Sequence, residues 1–137
     1  MTVRADLHLH SCLSPCGDLT MSPRAIVAAA LEARLDLIAL TDHNSARNVP
    51  AFRAACRAAG MAALFGCEVT TSEEVHALAL FADPETAVRF GDEMTGMMPQ
   101  RAPGSRFDDD QVVVDENEVI LEMLESQLTA ATALSLS

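Results

Sequence analysis

The four histidines of this chain stand beside acidic residues or beside one another, in three short blocks. The blocks are Asp6-Leu7-His8-Leu9-His10, Asp42-His43, and Glu68 followed eight positions later by His76. Side chains alternate along a strand, so His8 and His10 point to one face and can hold the same ion. Imidazole and carboxylate groups are the ligands of transition-metal hydrolases. The blocks therefore predict a metal site.

A thiol stands close to the first block. Cys12 and Cys16 form a Cys-x3-Cys spacing in the loop after His10. This spacing alone is a weak zinc signal, but the position of Cys16 beside His10 makes it a candidate ligand.

The blocks lie at the edges of apolar runs in a chain that alternates strand and helix patterns. Strands are predicted over residues 3–10, 37–40, 61–65 and 76–81, and helices over 23–34, 50–59 and 84–93. Residues 95–106 read as a loop, 112–121 as a small hairpin or the beginning of a last helix, and 121–134 as helical. The alternation predicts one α/β domain over residues 1–137, with parallel pairing. Ligands of such folds gather beyond the C-terminal ends of the strands. Since His76 begins its strand, that strand is expected to run antiparallel or to enter from the site.

The net charge of −11 comes mainly from one segment, because residues 108–125 contain eight acids and no base. This charge argues against a broad nucleic-acid surface, whereas a phosphorylated substrate stays compatible because bound cations would reverse the local field. No apolar run approaches the roughly 18 residues that cross a bilayer, and a signal-peptide pattern is missing. We therefore expect no membrane partner and a cytoplasmic location.

Taken together, the motifs resemble the PHP (polymerase and histidinol phosphatase) family of metal-dependent phosphoesterases. Asp-Leu-His-Leu-His-Ser at 6–11 resembles its first motif, Leu-Thr-Asp-His at 40–43 its second, and Gly-Cys-Glu-Val at 66–69 with His76 its third. The resemblance implies a distorted (β/α)7 barrel that binds up to three divalent ions, commonly zinc, manganese or iron. It also implies further strands with more histidines, and this chain has none after His76. We therefore expect a partial, N-terminal half-barrel.

The resemblance also implies a role for each site residue. His8 and His10 would bind the first ion, Glu68 would bridge to a second held by His76, and His43 would bind a third. Asp18 and Cys16 compete for one loop position of the third ion, Asp18 by its distance before Pro23 and Cys16 by its distance after His10. Asp42 and His43 are assigned to catalysis; Asp6 and Asp42 would accept ring N–H groups of the imidazoles. Asn44 and Arg47 could contact a phosphate.

Three hypotheses about function follow. The first is a metal-dependent phosphoesterase that hydrolyses a small phosphorylated compound or nucleotide through metal-activated water. The second is a metal-binding but inactive fragment or accessory module. The third is a half-barrel that pairs with another copy to cover its open sheet edges, giving a homo-oligomer.

Overall fold

A computed structural model describes residues 1–99, 110–125 and 127–137 of the chain. Its main sheet has four strands in the order β1-β2-β3-β4. The strands are β1 (Ala5–Leu9), β2 (Leu37–His43), β3 (Ala62–Thr70) and β4 (His76–Phe81). β1, β2 and β3 are parallel, and β4 pairs antiparallel to β3. The result is a mixed α/β fold of the partial-barrel type predicted from the sequence, with the antiparallel strand that the position of His76 indicated.

Three helices connect the strands and have the boundaries that their end residues favour. They are α1 (Pro23–Glu32), α2 (Val49–Ala59) and α3 (Pro84–Gly96). Ser22 and Asp83 accept backbone N–H groups at the beginnings of α1 and α3, and each is followed by a proline. Gly60 ends α2 in the left-handed conformation, with φ of 68°.

Buried apolar side chains fix the helices on the sheet. Ile38 and Leu40 of β2 and Phe52 of α2 are fully buried in the largest core cluster. β2 is buried along almost its whole length, as its continuous apolar run predicts for a central parallel strand. It also extends through His43, further than the apolar run indicates, because Asp42 and His43 stay paired with β3.

The C-terminal part is a hairpin rather than a helix. β5 (Val112–Val114) and β6 (Ile120–Met123) pair antiparallel, which confirms the hairpin alternative. The helix predicted over 121–134 is wrong for the described residues, because 121–123 belong to β6 and 127–137 contain turns and bends but no helix. Backbone hydrogen bonds join this segment to the end of β3 and the turn after it: Thr70 O accepts from Thr132 N, and Ser72 N donates to Leu134 O. Of the loop predicted over 95–106, residues 95 and 96 complete α3 and 100–106 lie outside the described residues.

No helix in the described residues is long and apolar enough to span a membrane.

Candidate metal centre

Strand register brings the three sequence blocks together. His43 of β2 pairs with Glu68 of β3, so their side chains share a face. Glu68 in turn opposes Leu78 of β4, two residues from His76, which places His76 on that face as well. His8 and His10 arrive at the end of β1, the neighbour of β2. The pairing of the four strands therefore brings Glu68 and the four histidines together.

Glu68 is the common partner of all four histidines. Its Oε2 lies 3.0 Å from His8 Nε2, 3.0 Å from His10 Nε2 and 3.5 Å from His43 Nδ1. Its Oε1 lies 2.8 Å from His76 Nδ1. Glu68, His10 and His43 are largely buried, whereas the side chains of His8 and His76 are about half exposed, at 50% and 54%. The cluster thus has a buried floor and opens to solvent at His8 and His76.

The charges of these groups suit metal binding. Burial lowers the pKa of His10 to about 4, with His43 adding to the effect and Glu68 opposing it. Burial likewise lowers the pKa of His43, against the opposing effect of Glu68. Burial pushes the pKa of Glu68 upward, but the hydrogen bonds from His8 and His76 outweigh it and hold the pKa below its usual range. Neutral imidazoles and an ionised carboxylate are the forms that coordinate cations.

Within residues 1–99, 110–125 and 127–137, three groups place their donor atoms within 4.8 Å of one another. They are His8/His10/Glu68, His43/Glu68/His76 and His10/Cys16/His43. A neutral imidazole has one nitrogen with a free lone pair, whereas a carboxylate has two oxygens and can bridge two ions. The first two groups can therefore be filled together, with Glu68 shared. The third group draws both of its histidines from the other two.

The loop after β1 places Cys16, rather than Asp18, within reach of the cluster. Cys16 Sγ lies 3.5 Å from His10 Nδ1. Asp18 is exposed, and its carboxylate accepts both the backbone N–H and the hydroxyl of Thr20, which lowers its pKa. Asp18 belongs to none of the three donor groups among the described residues. Of the two alternatives for the loop ligand, the geometry favours Cys16.

Asp42 lies beneath the cluster, and among the described residues its side chain makes no hydrogen bond to an imidazole ring. It is fully buried, and its oxygens accept from Ser11 N at 2.6 Å, Ser11 Oγ at 2.7 Å and Ser14 Oγ at 2.7 Å. Burial raises its pKa to about 6, and these hydrogen bonds oppose the rise. The expected bond from a ring N–H to Asp42 is wrong, because Ser11 and Ser14 donate to its two oxygens instead. Its assignment to catalysis stays a prediction, and Asp42 is linked to the cluster through Ser14.

Asp6 also differs from expectation, because its Oδ1 accepts the backbone N–H of His8 at 3.1 Å rather than a ring N–H. A carboxylate two residues before the N–H group that donates to it favours this local turn over a contact with the ring.

Asn44 and Arg47 are engaged elsewhere. Asn44 is fully buried; its Nδ2 donates to the carbonyl oxygens of Leu128 and Ala130, and its Oδ1 accepts from Thr70 N. The amide therefore ties the C-terminal segment to the sheet and has no group left for a phosphate. Arg47 pairs with Asp92 at 3.3 Å and Glu122 at 2.7 Å. Its guanidinium is therefore held beside acidic side chains, and a role in phosphate binding stays a prediction.

One atom shows that the residues fit a cation. His43 Nδ1 is buried and makes no hydrogen bond, although it lies 3.5 Å from Glu68 Oε2. Buried polar atoms without a hydrogen-bond partner are rare in folded proteins. A cation between the imidazoles and Glu68 would satisfy this nitrogen, and the donor set is of the right chemistry.

A family model for the PHP domain matches residues 6–133, nearly the whole chain. The chain belongs to the PHP domain family. A solved structure, that of a proposed metal-dependent phosphoesterase from Bifidobacterium adolescentis, is similar with a TM-score of 0.57 and 26% sequence identity. The match covers 71% of this PHP chain and 34% of that protein. A comparison with curated proteins gave no match.

Sequence reasoning missed Ser11 and Ser14, which hold Asp42 in place under the histidines of this PHP domain. Serine is common in loops, and neither residue has a spacing that marks it as part of a site. The signal available was their position directly after His10, in the loop that also carries Cys16.

Proposed function

We propose that this chain is a metal-dependent phosphoesterase that hydrolyses a small phosphorylated compound or nucleotide through metal-activated water. The observation that carries the proposal is the convergence of four imidazoles on the single buried carboxylate of Glu68. Membership of the PHP family and the similarity to a proposed phosphoesterase support the same class.

The donor geometry supports two ions that share Glu68. His8 and His10 would bind one with Oε2 of Glu68, and His43 and His76 would bind the other. Each ion would then have three protein donors, which leaves coordination positions for water and substrate. The third ion implied by the family resemblance would need histidines already used.

Imidazole and carboxylate donors accept zinc, manganese and iron. The two groups that share Glu68 contain only such donors, so we propose zinc, manganese or iron as the bound ion.

Bound divalent ions supply a nucleophilic water near neutral pH and neutralise the charge of a phosphoryl group. The residues of this chain hold the site in the form that such chemistry needs. Glu68 contributes the negative charge, and the buried His10 and His43 remain neutral and keep their lone pairs available. Asp42 supports the loop from below rather than acting on a substrate.

The exposed rims of His8 and His76 are where a substrate would approach. A small substrate is favoured because a chain of net charge −11 repels a long polyanion outside the immediate field of the ions. For location, we propose the cytoplasm, a reducing compartment in which cysteine side chains remain thiols.

A second candidate function is metal binding without turnover. It is favoured by the extent of the match, because the chain corresponds to only 34% of the similar protein. The part of that protein outside the match would then carry further ligands or the groups that position substrate. Measured turnover separates the two candidates.

The test is metal content and phosphoesterase activity of the chain, purified without chelators or metal affinity resin. We expect two equivalents of zinc, manganese or iron, with hydrolysis of a phosphomonoester that increases with metal loading. Glu68→Gln should lose at least one equivalent and the activity, whereas Glu74→Gln, an exposed carboxylate in the turn before β4, should keep both. Metal without turnover would support the second candidate; a chain that takes up no metal would overturn both.

A further inference from the structure

Ser14 stands at the junction between the metal cluster and the buried Asp42. Its side chain is fully buried, and its Oγ makes three contacts. Asp42 Oδ1 lies at 2.7 Å, the backbone nitrogen of His43 at 3.0 Å and His10 Nδ1 at 3.1 Å. One hydroxyl thus connects the ends of β1 and β2 at the site.

The chemistry of two partners determines the role of the third. An ionised carboxylate only accepts, so the single hydroxyl proton of Ser14 goes to Asp42. A backbone N–H only donates, so the bond from His43 occupies one lone pair of Ser14 Oγ. The lone pair that remains can only accept, and His10 Nδ1 must therefore carry the proton of their bond.

A neutral imidazole with its proton on Nδ1 has its free lone pair on Nε2. That nitrogen lies 3.0 Å from Glu68 Oε2, another acceptor. Two acceptors at this distance repel each other unless a cation lies between them. The geometry at Ser14 therefore prepares the other end of the same ring for a cation shared with Glu68.

We propose that Ser14 is a positioning residue that commits His10 to metal binding through Nε2. This inference rests on the proposed metal site. It also explains why the His10/Cys16/His43 group is disfavoured: the His10 nitrogen nearest to Cys16 is Nδ1, the one that Ser14 keeps protonated.

Ser11 provides a matched control. It too is a fully buried serine whose hydroxyl donates to Asp42, at 2.7 Å, but among the described residues no hydrogen bond joins its side chain to the His10 ring. Ser11→Ala and Ser14→Ala therefore remove the same kind of bond from the same carboxylate, and only the second removes the contact with the ring.

The test is nitrogen–proton correlation spectroscopy of the histidine rings in zinc-loaded protein, together with zinc titration. In the wild type, His10 should carry a proton on Nδ1 and bind zinc through Nε2. Ser14→Ala should weaken zinc binding about 10- to 100-fold and speed solvent exchange of the Nδ1 proton, as loss of a group that orients a ligand typically does. Ser11→Ala should leave the His10 signals and the tautomer unchanged.

Zinc bound to His10 through Nδ1 in the wild type would overturn the role of Ser14 while leaving the metal site intact. So would a Ser14→Ala variant with unchanged affinity and unchanged Nδ1 exchange. The wild-type tautomer needs no variant, and it decides the matter even if Ser14→Ala fails to fold. A wild type that binds no zinc would instead remove the proposed function, and the role of Ser14 with it.

Discussion

At the scale of single residues, two buried carboxylates each contact several polar groups of the site. Glu68 faces four imidazoles, and Asp42 receives three hydrogen bonds from two serines. Burying an ionised carboxylate among neutral donors costs free energy. The contribution of such a group to the stability of the fold therefore depends on pH.

We predict that Asp42→Asn becomes more stable relative to the wild type as the pH rises. The pKa of Asp42 is raised to about 6 in the folded protein from an ordinary 3.8. Between these values the folded state binds more protons than the unfolded state, so this group lowers the free energy of unfolding as the pH rises. Asparagine does not titrate, and the difference should grow by about 3 kcal/mol at most.

Urea unfolding of metal-free protein at about pH 4.5 and about pH 7.5 measures this difference. His10 acts in the opposite direction, because its lowered pKa stabilises the fold above 6.5 and that contribution is lost as the pH falls towards 4. Both proteins contain His10, so its effect largely cancels. A stability difference that stays constant with pH would show that Asp42 titrates normally.

Cys16 and Asp18 can be separated in the same way. We predict that Cys16→Ser and Asp18→Asn both retain two equivalents of zinc, with affinities within about threefold of the wild type, because neither residue belongs to the two groups that share Glu68. Metal analysis after dialysis checks this. A fall to one equivalent in Cys16→Ser alone would show that the thiol is a ligand.

At the scale of elements, the pairing of β3 with β4 is what holds Glu68 beside His76. Because Gly66 has no side chain, the backbones of β3 and β4 approach closely at this position. A Cβ built on Gly66 would lie 1.8 Å from Ala79 O and 2.9 Å from its carbonyl carbon, both backbone atoms of β4. Backbone in a ladder cannot move aside as the end of a side chain can.

We therefore predict that Gly66→Ala destabilises metal-free protein by more than about 3 kcal/mol and reduces zinc uptake. Gly96→Ala is the control, since Gly96 ends α3 with nothing within 4 Å of its added Cβ. There, alanine should change the free energy of unfolding by no more than about 1 kcal/mol. Equal urea midpoints for the two variants would contradict the prediction.

The elements were mostly predictable from sequence where local chemistry is decisive. Ser22-Pro23 and Asp83-Pro84 mark helix beginnings, and the apolar run 37–40 marks a buried strand. The helix expected after Leu121 failed because its pattern is also compatible with a strand that pairs with β5, and the pairing is not local. The structural role of Asn44 was likewise not predictable from local sequence, because its partners Leu128 and Ala130 lie more than 80 positions away.

At the scale of the whole molecule, the sheet has two outer strands, β1 and β4, in the described part of the chain. β6 and the residue before it expose apolar side chains. They are Val119, Ile120, Leu121 and Met123, each more than half exposed. Open strand edges and clustered apolar side chains favour contact with another chain.

We predict that the chain self-associates, and that added salt strengthens the association because it screens the repulsion between copies of charge −11. Light scattering at increasing protein and salt concentration measures this. Leu121→Lys should shift the chain towards monomer more than Leu136→Lys, a similarly exposed leucine outside β6. A monodisperse monomer at every concentration would contradict the prediction.

The order of the ligands along the chain has a consequence for biosynthesis. All donors of the two groups that share Glu68 lie at or before His76 in the sequence. The hairpin β5–β6 and the segment bound by Asn44 come later. During translation, a growing chain therefore carries its full set of ligands before the segments that close over the fold have been made. An ion captured at that stage would stabilise the nascent sheet, and metal supply in the cell would then govern the yield of folded protein.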